Sequence, residues 1–137
     1  MYTLVTSRFN NDTLETNRNY KQKKNIMGCV YASPQEMSPK IMYDSLVFVI
    51  EMNNSTNKIE GIGLIKNKLE TGKYYKVHED GNNNRYIYVG NYYIERNIVE
   101  DYNSPLLYAL EVILFTGYTH SKRGPGLTII PHKAIER

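Results

Sequence analysis

The chain has 137 residues and one cysteine, is 41% hydrophobic and 23% charged, and carries a net charge of +3. That length folds most simply as one domain with a core that needs no staples, and the lone Cys29 excludes both an internal disulfide and a zinc site built from several thiolates. No run approaches the ~18 apolar residues of a membrane span, the opening MYTLVTSRFN lacks a signal peptide's apolar core, and an intracellular protein is expected.

TLVTSRF at 3–9 alternates weakly and predicts an edge or barrel strand. Asn11-Asp12 then offers a helix cap, with Glu15 completing a capping-box pattern. The helix expected over 13–24 has little apolar stripe, and Lys21, Lys23 and Lys24 at its end complement the helix dipole. IMGCVYASP at 26–34 reads as a short buried strand, and Ser38-Pro39 as the start of a helical turn through Met42. SLVFVIEM at 45–52 is continuous and β-branched, as a strand covered on both faces would be.

The strand IEGIGLIK at 59–66 follows a polar turn and carries Gly61 and Gly63 two residues apart, so one of its faces is bare. Such a face marks a bulge, a bend in a barrel wall or the close approach of other backbone. YYKVHED at 74–80 predicts a further strand, and RYIYV–Gly90-Asn91–YYIER predicts a tight hairpin. Ser104 and Pro105 open a helix that Gly117 ends, with Leu106, Leu107, Leu110, Ile113 and Leu114 as its core stripe. A last strand lies near 127–131. The order implies an α+β fold: a small curled antiparallel sheet or barrel with two or three flanking helices.

Charge is unevenly placed. Residues 1–40 hold six Lys/Arg against three Asp/Glu, residues 41–117 seven against ten, and residues 118–137 four against one. If the two basic ends meet in the fold, they form a patch for an anionic partner. The 15 Asn and 13 Tyr against no Trp accompany A/T-rich codons, so a single tyrosine is a weak sign of binding.

Catalytic patterns are sparse. Cys29 lies in an apolar strand, His78, His120 and His132 have no metal-ligand spacing, and no phosphate-loop or dinucleotide fingerprint occurs. No catalytic residue, metal or cofactor is therefore expected. Binding chemistry is better represented. In THSKRGPG, Lys122 and Arg123 stand beside Gly124 and Gly126, whose backbone can approach a phosphate, and His120 can stack or hydrogen-bond. The same residues also read as a plain turn. Arg18 and Lys21 extend the basic patch, and Arg85 and Tyr86 with Tyr88, Tyr92 and Tyr93 on the hairpin can meet a base or sugar, although in so tyrosine-rich a chain ordinary core or cross-strand packing is the stronger reading.

The run LVFVIEMNNSTNKIEGIGLIKN resembles the central hairpin of PUA-like domains, the group containing the ASCH, EVE and YTH families, and Arg8-Phe9, the helix near 12–24 and Met27–Val30 occupy comparable places over residues 3–66. The resemblance implies a small β-barrel with flanking helices that binds RNA or a modified base. YTH domains cage methyladenine with tryptophans, which this chain lacks, so that specificity is not implied. TGYTHSKRGPGLTIIP and NRYIYVGNYYIER also resemble segments of small proteins of large DNA viruses. The expected function is a non-catalytic nucleic-acid-binding module, RNA before DNA. A viral protein–protein interaction or structural protein, with a protein partner or homo-oligomer, is the alternative, and a small hydrolase or nuclease using His120 is the third.

Overall fold

Leu46–Asn53 (β3), the most apolar run of the chain, is the middle strand of a five-stranded sheet. Lys58–Lys66 (β4) returns antiparallel on one side of it, and Tyr2–Phe9 (β1) lies parallel on the other, pairing Val5 with Val49. Tyr92–Glu95 (β6) borders β4, and Thr128–Ile129 (β7) borders β1. A separate two-stranded ribbon joins Cys29–Ser33 (β2) to Tyr86–Gly90 (β5). The helices are Asn11–Lys23 (α1) and Arg96–Phe115 (α2). The computed structural model describes residues 2–71, 75–78, 84–116 and 126–130.

The class is α+β, as expected, but the sheet is mixed rather than antiparallel. α1 and β2 fill the crossover between β1 and β3, and a crossover of that length returns the chain in the same direction. Among the described residues the ladder runs from β6 to β7 and does not close on itself. The pairing of β1 with β7 sets Val5 beside Ile129 and Thr6 beside Thr128.

Alternation along β3 builds two cores, one on each face of the sheet. Val47 and Val49 face the ribbon, where they join Val5, Phe9, Cys29, Tyr31, Ile65 and Tyr88. Ile50 and Met52 face α2 and pack with Ile59, Leu107, Leu114 and Phe115. The bare stripe of β4 is filled from outside the strand. A Cβ at Gly63 would collide with the Tyr31 hydroxyl and Cys29 Sγ, and one at Gly61 with the Tyr93 hydroxyl. A bulge also sits here: Glu51 pairs with Gly61 and Met52 with Ile59, leaving Glu60 as the extra residue.

Several local expectations are corrected. The cap of α1 is Asn10, whose side chain accepts from Thr13 N at 2.8 Å while Thr13 Oγ1 accepts from Asn10 N at 2.9 Å. That reciprocal pair replaces the one expected from Asp12 and Glu15. Ser38-Pro39 makes a single turn, closed by Ile41 N donating to Ser38 O, not a helical segment. β5 and β6 do not pair with each other: β5 joins β2 and β6 joins β4, so Gly90-Asn91 is a crossing from ribbon to sheet. Gly90 is needed at that crossing, since a Cβ would strike Leu64 O. Residues 75–78 are not strand, because the Asn84 side chain takes the N–H groups of Val77 and His78 at 3.0 and 2.9 Å.

α2 begins eight residues before the expected cap. It kinks at Asn103 (φ −158°, ψ 80°), whose Oδ1 accepts from Leu106 N. Asn103 thus caps the second segment in place of Ser104, and Pro105 falls in its first turn, where its missing N–H costs nothing. Of the expected stripe, Leu107 and Leu114 are buried, whereas Leu106 is 53% exposed. Gly117 lies outside the described residues.

Candidate nucleotide-binding cleft

α1 carries Leu14, Asn17, Arg18 and Lys21 at positions three and four apart, which places them on one face. The face is mostly polar, and the sheet it covers supplies a matching polar group. Glu51 is the one charged residue of β3 and is 0% exposed. Its carboxylate accepts from Arg18 Nη2 at 2.5 Å, Tyr31 OH at 2.7 Å and Tyr93 OH at 2.9 Å. Arg18 also donates to Tyr93 OH at 2.7 Å and to Asn17 Oδ1 at 2.9 Å, and Asn17 Nδ2 donates to Val30 O at 2.8 Å. A buried charge is tolerated only when it is paired and hydrogen-bonded, and this one is both.

The electrostatics follow from that network. Burial alone lowers the Arg18 pKa, but the Glu51 charge and hydrogen bond outweigh it and the net shift is upward. Burial, reinforced by Glu51, pushes the Tyr31 and Tyr93 phenols up. Cys29 is buried against the same group, and burial followed by the Glu51 charge raises its thiol to about 11. It is a protonated packing residue at neutral pH rather than a nucleophile.

Outside this network lies a cleft of about 440 Å³, between the inner face of α1 and the junction of β6 with α2. Arg18, Lys21, Glu60, Tyr93, Glu95 and Arg96 give it its polar character, and Leu14 and Met27 its apolar wall. Met27 is 91% exposed. Lys21 Nζ stands 4.0 Å from the Tyr93 ring centroid and makes no ion pair with any described residue, whereas Arg18 is paired to Glu51 and Arg96 to Glu111. Burial, then the neighbouring Arg18, hold the Lys21 pKa below its ordinary value, with Glu51 and Glu95 opposing them. Glu60 Oε2 accepts from Asn53 Nδ2 at 2.8 Å, and the Glu95 carboxylate accepts no hydrogen bond from the described residues.

Of the residues expected at a site, Arg18 and Lys21 therefore share one cleft. Arg85 and Tyr86 do not join them. They stand at the Ser33 end of the ribbon, about 13 Å along it from the Cys29 end that borders the cleft. There the exposed Arg85 guanidinium lies 5.7 Å from the Tyr86 ring centroid. Gly126 is at that same far end, against Ser33 Oγ, with φ +67° and its carbonyl accepting from Arg8 Nη2 at 3.1 Å. A left-handed φ suits glycine. His120, Lys122, Arg123 and Gly124 lie outside the described residues.

Sequence reasoning missed Glu51, Glu60 and Glu95, and it offered Tyr31 and Tyr93 only among several candidate tyrosines. A signal for Glu51 was present: a single carboxylate in an otherwise apolar strand must be paired if that strand is buried on both faces. Among the described residues no group of three or more His, Cys, Asp or Glu could hold a metal ion, and no helix is long and apolar enough to cross a membrane. Comparison of the chain with family models, curated proteins and solved structures returned no match.

Proposed function

We propose that this chain is a non-catalytic nucleic-acid-binding module, RNA before DNA, that receives one unstacked nucleotide in the cleft beside α1. The observation that carries the reading is the convergence of Arg18 and Lys21 on one cleft with Tyr93. A cleft of about 440 Å³ suits one base with part of its sugar, and single-stranded nucleic acids are read by such splayed-out bases. In this account Lys21 meets phosphate or a base oxygen, while Arg18 holds the Tyr93 wall in place. Lys122, Arg123 and the Gly124–Gly126 loop supply further phosphate contacts, and Arg85 and Tyr86 serve the strand at the far end of the ribbon. The PUA-like barrel and the intracellular setting belong to the same proposal. The glycine-bearing β3–β4 hairpin supports the first, and the single buried thiol supports the second.

The test is fluorescence anisotropy with short single-stranded RNA, duplex RNA and DNA across a salt series. Single-stranded RNA should bind most tightly with an affinity that falls as salt rises, and Lys21→Ala should weaken that binding about tenfold. A Lys21→Ala variant with unchanged affinity removes Lys21 from the site, and a protein that ignores every nucleic acid at low salt removes the function.

A second reading, a protein-interaction component, is favoured by one observation. An apolar groove of about 640 Å³ lies between the sheet and the kinked part of α2, lined by Tyr2, Leu4, Leu46, Phe48, Leu106 and Leu110 among others. Exposed apolar surface of this kind marks contact sites. Analytical ultracentrifugation showing a stable oligomer, together with no response to RNA, would favour it.

A further inference from the structure

The cleft's hydrogen-bonding capacity is more specific than its formal charge. Two of its three cations, Arg18 and Arg96, are spent on Glu51 and Glu111. What remains open is one ammonium, Lys21, and two sets of carboxylate oxygens. Glu95 is unbonded among the described residues, and Glu60 has one oxygen on Asn53 and the other without a described donor. Glu95 is close enough to act on Lys21 electrostatically. A ligand that satisfies this set presents at least two hydrogen-bond donors toward a carboxylate and one acceptor toward Lys21, on a flat body that fits between Leu14, Met27 and Tyr93.

Among the RNA bases only guanine has that edge. Its N1–H and N2–H₂ groups lie side by side, so one carboxylate can take both, as it takes the two parallel N–H groups of an arginine. Its O6 is the adjacent acceptor. Adenine and cytosine place an acceptor ring nitrogen beside their amine, which would face the carboxylate with like charge. Uracil has one N–H flanked by two carbonyls. Resting on the nucleic-acid reading above, we infer that the cleft selects guanine, with Glu95, assisted by Glu60, on N1–H and N2–H₂ and with Lys21 on O6.

The experiment uses five labelled RNA pentamers, UUXUU, in which X is guanine, hypoxanthine, adenine, cytosine or uracil, at one low salt concentration. The guanine pentamer should bind at least tenfold more tightly than the adenine, cytosine and uracil ones, in keeping with the worth of a bidentate pair. Hypoxanthine keeps O6 and N1–H but lacks the 2-amine, and should lose about tenfold. Glu95→Ala should bring guanine and hypoxanthine to equal affinity with the far-ultraviolet circular dichroism of the folded chain kept, because the carboxylate accepts no hydrogen bond from the described residues. Glu95→Gln is the second variant, and it should shrink the difference, because its amide offers one acceptor oxygen in place of two. Five pentamers binding within twofold of one another would overturn the guanine assignment and leave the nucleic-acid function standing. A guanine preference untouched in both variants would overturn the role of Glu95. No binding by any pentamer would overturn the nucleic-acid function and the guanine assignment with it.

Discussion

Both faces of the central sheet carry an apolar core, but among the described residues only one of them also holds a buried charge network. Beneath α2, Met52, Ile59, Leu107 and Leu114 pack without a polar atom among their side chains, and each is fully buried. Beneath α1 and the ribbon, the same sheet holds a carboxylate at zero exposure, a guanidinium and two phenols. The dry face derives its stability from apolar area and close packing. The wet face depends on every member of its network being present, since removing one leaves the others buried without partners. One strand serves both because β3 alternates, sending Glu51 one way and Ile50 and Met52 the other. The dry face holds shape, and the wet face positions Tyr93 and Arg18 at the cleft.

The sharpest way to break this comparison is on the wet face. Arg18→Ala strands the Glu51 carboxylate and should cost about 4 kcal/mol in urea unfolding. Replacing both Arg18 and Glu51 by Met should restore only part of that loss, because it removes the unpaired charge but leaves the buried Tyr31 hydroxyl without its acceptor. A single variant that costs less than about 1 kcal/mol would show that Glu51 is not held by this pair. On the dry face, Leu114→Ala should cost about 3 kcal/mol through lost transfer energy and the cavity left behind. No part of that loss should be recovered by changing any one neighbour, unlike the loss on the wet face.

The smallest effect is a dependence on pH. The Cys29 thiol has its pKa raised from 9.0 to about 11, by burial first and Glu51 second. Its contribution is therefore complete below pH 9 and is lost as pH rises toward 11, amounting to about 1 kcal/mol by pH 10. Tyr31 and Tyr93 shift in the same direction from 10.0 and act at higher pH, while the lowered Lys21 pKa acts in the opposite sense. The readout is thus the difference between wild type and Cys29→Ala in urea melts from pH 8 to pH 10. A difference that stays constant over that range would place the thiol in a wetter setting.

The difference between the faces also explains what the sequence disclosed. β3, β4, α1 and the leucine stripe of α2 are legible because each is a local pattern: a β-branched run, alternation, a helical period, a proline in a first turn. Partner choice is not local. Nothing in RYIYVGNYYIER tells that Tyr88 pairs back to Tyr31 while Tyr93 pairs to Gly63, and the two-residue spacing favours a hairpin that does not form. The parallel placement of β1 beside β3 likewise depends on where α1 and β2 pack, not on either strand's composition. The site divides the same way. Arg18 and Lys21 stand out as cations at helical spacing, whereas Glu60 joins them through a bulge, and Glu95 and Tyr93 through the crossing at Gly90-Asn91.

Glu51 also does for the whole chain something that no apolar residue at its position could do. A strand as uniformly apolar as Leu46–Asn53 would gain nearly the same burial if it slipped by one residue against both neighbours, because either set of side chains fills either core. The carboxylate removes that degeneracy. A one-residue slip would turn Glu51 toward Leu107 and Leu114, leave Arg18 facing a hydrocarbon, and remove the acceptor of both phenols. The most expensive group in the interior is thus an alignment pin, and its energetic cost falls chiefly on the misaligned states that the chain must avoid.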